Sequence, residues 1–120
     1  MKIAFTTAAD SLAGPLDRRF GRAPRFLIYD DQAGSVEAID NQQNLNAAQG
    51  AGIQSAMQLV DQKVDAVVTG HCGPKAFQVL TAANIKIYNS DAETISDAYD
   101  QLKNGELTEA EAANAEAHWV

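Results

Sequence analysis

The chain has 120 residues, of which 46% are hydrophobic and 21% charged, with a formal net charge of −7. That length fits one domain able to bury roughly two thirds of its unfolded surface, and no apolar run approaches the roughly 20 residues of a membrane span. So acidic a chain lacks the broad basic surface that a phosphate backbone requires, which argues against nucleic acid as a partner.

Lys2 to Thr7 is short and rich in β-formers, and predicts a first strand. The start Met1-Lys2-Ile3-Ala4-Phe5 lacks the apolar core of a signal peptide, and a single cysteine allows no internal disulfide. A reducing cytoplasm is therefore the expected location. A long loop over residues 8–24 follows. It opens the stretch that holds every arginine of the chain, Arg18, Arg19, Arg22 and Arg25. Arg25 to Asp30 and Ser35 to Ile39 predict the second and third strands, close enough for an antiparallel meander.

Gln49-Gly50-Ala51-Gly52 leads into a first helix suggested by Ile53, Met57 and Val60 at i, i+4 and i+7. Val64 to Thr69 predicts a fourth strand, and Thr69-Gly70-His71-Cys72-Gly73-Pro74 leads into a second helix with Phe77 and Leu80 on its apolar side. Ile85 to Tyr88 reads as the fifth strand. A third helix carries the stripe Ile95, Ala98, Tyr99 and Leu102, introduced by the capping box Ser90-Asp91-Ala92-Glu93 and closed by Gly105. Thr108 to Glu111 repeats the capping signal, predicting a short helix in the acidic tail.

The order βββαβαβ(α) predicts one three-layer α/β domain over residues 1–105 with a five-stranded mixed sheet, followed by an acidic tail over 106–120. The carboxyl ends of strands one, three, four and five then share one sheet edge, the usual ligand side of open α/β folds. The arginine loop, the Gly50-Ala51-Gly52 helix entry and the Gly70-to-Pro74 segment converge there. Two helix starts pointing N–H groups at the same space favour an anion, and guanidiniums strengthen that preference. The tail keeps its charge elsewhere: through Ser90 eight acids face eight bases, whereas from Asp91 onward eight acids face Lys103 alone.

Each feature also has a plainer explanation. The arginines could pair with Asp10, Asp17, Asp30 and Asp31; Gly50 and Gly52 could serve helix entry alone; Cys72 could be a small buried hydrophobe. His71 and Cys72, adjacent on extended chain, point to opposite faces and make a poor chelating pair. A thiol-dependent or phosphate-handling enzyme using Cys72 lacks a convincing base, and a protein-interaction module would rest on the acidic tail.

The segments Leu16-Asp17-Arg18-Arg19-Phe20-Gly21-Arg22-Ala23-Pro24, Gly50-Ala51-Gly52-Ile53-Gln54 and Thr69-Gly70-His71-Cys72-Gly73-Pro74-Lys75-Ala76-Phe77 together resemble the dinitrogenase iron-molybdenum cofactor biosynthesis family. That family includes NifX-like and NifB C-terminal-like domains and a small molybdenum-copper sulfide protein of sulfate-reducing bacteria. The resemblance implies a ribonuclease H-like fold and a non-enzymatic carrier or assembly role. It implies a molybdenum-containing metal-sulfur cluster as cofactor, a Mo-Cu sulfide or an iron-molybdenum cofactor precursor. It further implies partners among cluster-assembly proteins and Mrp-type ATPases. The family's R-F-G-R-A falls on Arg19, Phe20, Gly21, Arg22 and Ala23. With Gly50, Gly52, Gly70, His71, Cys72 and Gly73, these are the expected binding residues, Cys72 being the one candidate metal ligand. Phe20, Ile53 and Phe77 are candidates for an apolar lining.

Overall fold

The computed structural model describes residues 1–42 and 51–111. Five strands form one mixed sheet: β1 (Lys2–Thr7), β2 (Arg25–Asp30), β3 (Ser35–Asp40), β4 (Ala66–Thr69) and β5 (Lys86–Asn89), in the spatial order β3-β2-β1-β4-β5. β2 runs antiparallel to both β1 and β3, while β1, β4 and β5 are parallel. Helices α1 (Ala51–Asp61), α2 (Pro74–Ala82) and α3 (Ile95–Lys103) complete the described elements. The architecture is the expected α/β fold, and its strand order is consistent with a ribonuclease H-like motif.

Alternation along the strands builds two apolar layers. Ala4, Phe26, Ile28 and Val67 join Ala56 and Leu59 of α1 and Ala76 and Leu80 of α2 on one face. Ile3, Phe5, Leu27 and Val68 meet Ile95 and Ala98 of α3 on the other. β1 and β4 are buried on both faces, which explains why they read as continuous apolar runs. The pairings Thr7 with Arg25 and Arg25 with Asp40 put the carboxyl ends of β1 and β3 on the same edge as those of β4 and β5.

Three sequence expectations change at the level of residues. β4 begins at Ala66, two residues late, because Asp65 turns its backbone to Lys2 and Lys86 as the chain enters the sheet. On α1 the buried residues are Ser55, Ala56 and Leu59, while Met57 is 49% exposed. The helix presents small side chains because α2 lies close: a Cβ on Gly52 would sit 3.6 Å from the Ala76 Cβ. α3 is capped by Thr94, whose side chain accepts from the Asp97 amide, and not by Ser90. The Ser90 hydroxyl instead accepts from the Ala92 amide and donates to Gln101 Oε1 at 2.6 Å. Gly105, at φ +73°, ends the helix as expected.

Beyond α3 the chain returns to the sheet. Leu107 packs on the α3 layer, Glu109 bridges Tyr88, and the Ala110 amide donates to the Ile87 carbonyl at 2.7 Å. The helix expected to start at Thr108 does not form through Glu111, because the open edge of β5 draws this segment into extended pairing. Residues 112–120 lie outside the described residues. Among the described residues no helix is long and apolar enough to cross a membrane.

A charge cluster closes the amino-terminal end of the sheet. The Met1 ammonium donates to Asp31 Oδ1 at 2.7 Å, and the Tyr99 hydroxyl donates to Asp31 Oδ2 at 3.2 Å. The hydrogen bond to Asp31 raises the amine pKa, and the bond from the amine lowers that of Asp31. The raised amine stabilises the fold fully below its ordinary value of 8.0, and that contribution disappears as pH climbs through its folded value. The lowered carboxyl contributes above its ordinary 3.8 and loses the contribution as acid protonates it. The amine is exposed and Asp31 only half-buried, so the expected effect is a small decline in melting temperature on either side of that window. Acetylating the amine should remove the alkaline limb; a curve unchanged by acetylation would show the pair contributes nothing.

Candidate functional site

The arginine loop is fixed to the sheet at three places. At its entry the buried Thr6 hydroxyl donates to the Asp17 carbonyl at 2.6 Å and lies 2.9 Å from the Thr69 hydroxyl, while the Asp17 amide donates to the Thr6 carbonyl. In its middle the backbone pairs with the extension of β4. The His71 amide donates to the Arg18 carbonyl at 2.7 Å, and the Phe20 amide to the His71 carbonyl at 3.0 Å, making a parallel bridge between Arg19 and His71. Phe20 then opens a single 3-10 turn, Phe20–Arg22, and drops its ring into the core, 1% exposed and 5.5 Å from the ring of Phe26.

The third anchor lacks any signal in the sequence. Asn41, fully buried at the end of β3, donates from Nδ2 to the Ala23 carbonyl at 2.8 Å and to Ser55 Oγ at 3.0 Å. Its amide also donates to the Pro24 carbonyl at 2.8 Å. One side chain thus joins the loop exit to α1. An Asn and a Ser fourteen positions apart carry no local pattern, which is why neither was a sequence candidate.

Gly70 serves this arrangement by letting the two backbones approach closely. A Cβ there would stand 2.7 Å from the Arg18 carbonyl oxygen and 2.8 Å from Arg18 Cα. The neighbouring atoms are backbone and cannot rotate away, so Gly70→Ala is expected to displace the loop and cost about 1–3 kcal/mol. Chemical denaturation measures this; an unchanged midpoint would mean the two segments separate freely.

The other sequence candidates are divided by the structure. Gly73 is buried in extended conformation immediately before Pro74, which starts α2. Gly21 is half-buried within the 3-10 turn, His71 is half-buried, and Gly50 lies outside the described residues. Gly52 faces α2. Ile53 is half-buried and Phe77 packs beside the α1–α2 layer, so with Phe20 in the core the expected apolar lining is mostly interior.

Cys72 belongs to that core too, 1% exposed, with its sulfur 3.8 Å from the Gly73 carbonyl oxygen. Burial pushes its thiol up to about 12. A buried thiol with so raised a pKa is disfavoured both as a nucleophile and as a ligand. Among the described residues no group of three or more His, Cys, Asp or Glu side chains is placed to hold a metal ion.

Arg18, Arg19 and Arg22 are exposed, and three of the four carboxylates expected to pair with them make other contacts. Asp17 Oδ1 accepts from the Arg19 backbone amide, Asp30 Oδ1 accepts from the Gln32 and Ala33 amides, and Asp31 holds the amino terminus. Among the described residues no arginine forms an ion pair. Arg18 lines a cavity of about 540 Å³ with Gly70, His71, Asn89, Ser90, Asp91, Gln101, Glu106 and Leu107. Arg19 and Arg22 lie outside that lining. Among the described residues this edge thus carries a mixed-charge cavity and an exposed turn bearing two guanidiniums.

Comparison with known proteins agrees with this architecture. The family described as dinitrogenase iron-molybdenum cofactor matches residues 1–105. The apo form of the orange protein from Desulfovibrio gigas is 35% identical, covers 95% of this chain and 96% of its own, and superposes with a TM-score of 0.91. The solution structure of a Thermotoga protein described as NifB is 31% identical over 90% of this chain and 91% of its own, with a TM-score of 0.79. An uncharacterised protein of Methanocaldococcus jannaschii is 28% identical over 99 residues, 80% of this chain and 83% of its own.

Proposed function

Because the chain belongs to the dinitrogenase iron-molybdenum cofactor family, we propose that it binds and carries an anionic molybdenum-containing metal-sulfur cluster, with Arg19 and Arg22 as its principal contacts. The observation that carries this reading is the turn itself. Two exposed guanidiniums, three residues apart, ride on a turn pinned by Phe20 and Asn41 and are left unneutralised by Asp17, Asp30 and Asp31.

The donor set decides which kind of cluster fits. A multinuclear cluster ligated through protein sulfur takes several thiolates, and this chain has one cysteine, buried and protonated. A thiomolybdate-type cluster brings its own sulfide and asks instead for counter-charge and hydrogen-bond donors, which planar guanidiniums supply. The cargo is therefore a preassembled sulfide cluster, a Mo-Cu sulfide or an iron-molybdenum cofactor precursor, held non-covalently. Such a carrier takes its cargo from and hands it to cluster-assembly proteins.

Exposed charge contacts are screened, and the screening length falls from about 8 Å at physiological salt to about 3 Å at 1 M. Anaerobic titration with tetrathiomolybdate should show affinity dropping about tenfold across that range. A protein that ignores thiomolybdate, or binds it indifferently to salt, would remove the basis for this function.

A further inference from the structure

The mixed-charge cavity is not explained by an anionic cargo. It offers one guanidinium, Arg18, against two carboxylates, Asp91 and Glu106, so its formal charge repels a polyanion, and Arg19 and Arg22 do not reach it. Its groups are also ordered in space. Arg18, Gly70 and His71 come from the arginine loop and the end of β4. Asp91, Gln101, Glu106 and Leu107 come from the end of β5, from α3 and from the returning tail.

Neutral amides lie between these two sides and are held in place. Asn89 Nδ2 donates to the Gly70 carbonyl at 3.2 Å, joining the two sides. Gln101 Oε1 accepts from the Ser90 hydroxyl at 2.6 Å. Asn89 Oδ1 and Gln101 Nε2 then remain as an acceptor and a donor on groups already fixed. The lining thus combines these amides with a guanidinium contributed by the arginine loop and carboxylates contributed by the end of β5 and the returning tail.

We infer that this cavity is a second binding site, distinct from the arginine turn, and that it takes a small zwitterion of the short-peptide class, carboxylate toward Arg18 and ammonium toward Asp91 and Glu106. A volume of about 540 Å³ falls within the range of small-molecule sites, about 300–1,000 Å³. It is too large for a single small amino acid to fill. An exposed guanidinium and exposed carboxylates give modest contact energies, so binding is weak and depends on both ends together.

The probe is zwitterionic tri-alanine, compared with N-acetyl-tri-alanine amide, which has the same backbone and no charged ends. Amide NMR signals of Gly70, Asn89, Asp91 and Glu106 should shift saturably with tri-alanine at millimolar concentrations. The capped peptide should bind at least about fivefold more weakly. Arg18→Ala, and separately Asp91→Asn with Glu106→Gln, should each weaken tri-alanine binding about fivefold with the melting temperature retained. Absence of saturable shifts, equal binding of the capped peptide, or charge variants that bind like the parent would each overturn the assignment. Thiomolybdate uptake at Arg19 and Arg22 is read separately by absorption, so either site can fail without the other.

Discussion

Replacing Arg19 and Arg22 together by alanine should lower thiomolybdate affinity about 30-fold and leave the melting temperature within a degree or two. The stability half follows from exposure. Neither guanidinium has an ion-pair partner among the described residues, and substitutions at such positions usually fall within about 0.5 kcal/mol of neutral. The affinity half follows from charge. A guanidinium about 4 Å from a unit negative charge gains about 4 kcal/mol at an effective dielectric of 20, and solvent exposure cuts this to roughly 1 kcal/mol each. Two such losses correspond to the stated factor.

The control is Cys72→Ser. It places a hydroxyl in the core and should cost about 1–3 kcal/mol of stability, yet retain most of the uptake, with the absorption spectrum shifted at most. Anaerobic titration of the folded variants decides between the two sites. Near-normal binding by the double arginine variant together with loss in Cys72→Ser would make the sulfur a ligand and the turn a surface feature.

The largest stability effect is expected at Phe20. Its ring is almost wholly buried against Phe26, so Phe20→Ala should cost about 3–5 kcal/mol, a large part of the roughly 5–15 kcal/mol that holds a domain of this kind together. Phe20→Leu should cost less and keep thiomolybdate binding near the parent value, because the side chain acts as the peg of the turn and does not touch cargo. Denaturant midpoints paired with titration of the leucine variant test both halves. A stable leucine variant that no longer binds would return Phe20 to the binding surface.

This residue also shows where the sequence stops being informative. The motif Arg19-Phe20-Gly21-Arg22-Ala23 marks a special loop, but an aromatic between two arginines reads equally as ligand lining or as core anchor until β2 is in place beneath it. The strands were legible because they are short runs rich in Ile, Val, Phe and Tyr, and α3 because its stripe is regular and Gly105 closes it. α1 misled because its buried side is made of Ser55, Ala56 and Leu59, while Met57, on the expected apolar stripe, faces solvent. The start of α3 misled for a related reason, since Ser90 and Thr94 both open plausible caps and only the contact with Gln101 decides between them. Convergence of the loop segments could be inferred from strand order. The clamp by Asn41 and the separation of Arg18 from Arg19 and Arg22 depend on contacts that no spacing encodes.

The returning tail makes the two margins of the sheet unlike. Backbone groups along β5 are occupied in part by Glu109 and Ala110, whereas β3 ends the sheet with a solvent-facing strand, guarded by Glu37 and Asp40. The segment after Gly105 thus covers part of the β5 margin and leaves β3 as the freer edge, so a strand added from another chain would be expected at β3.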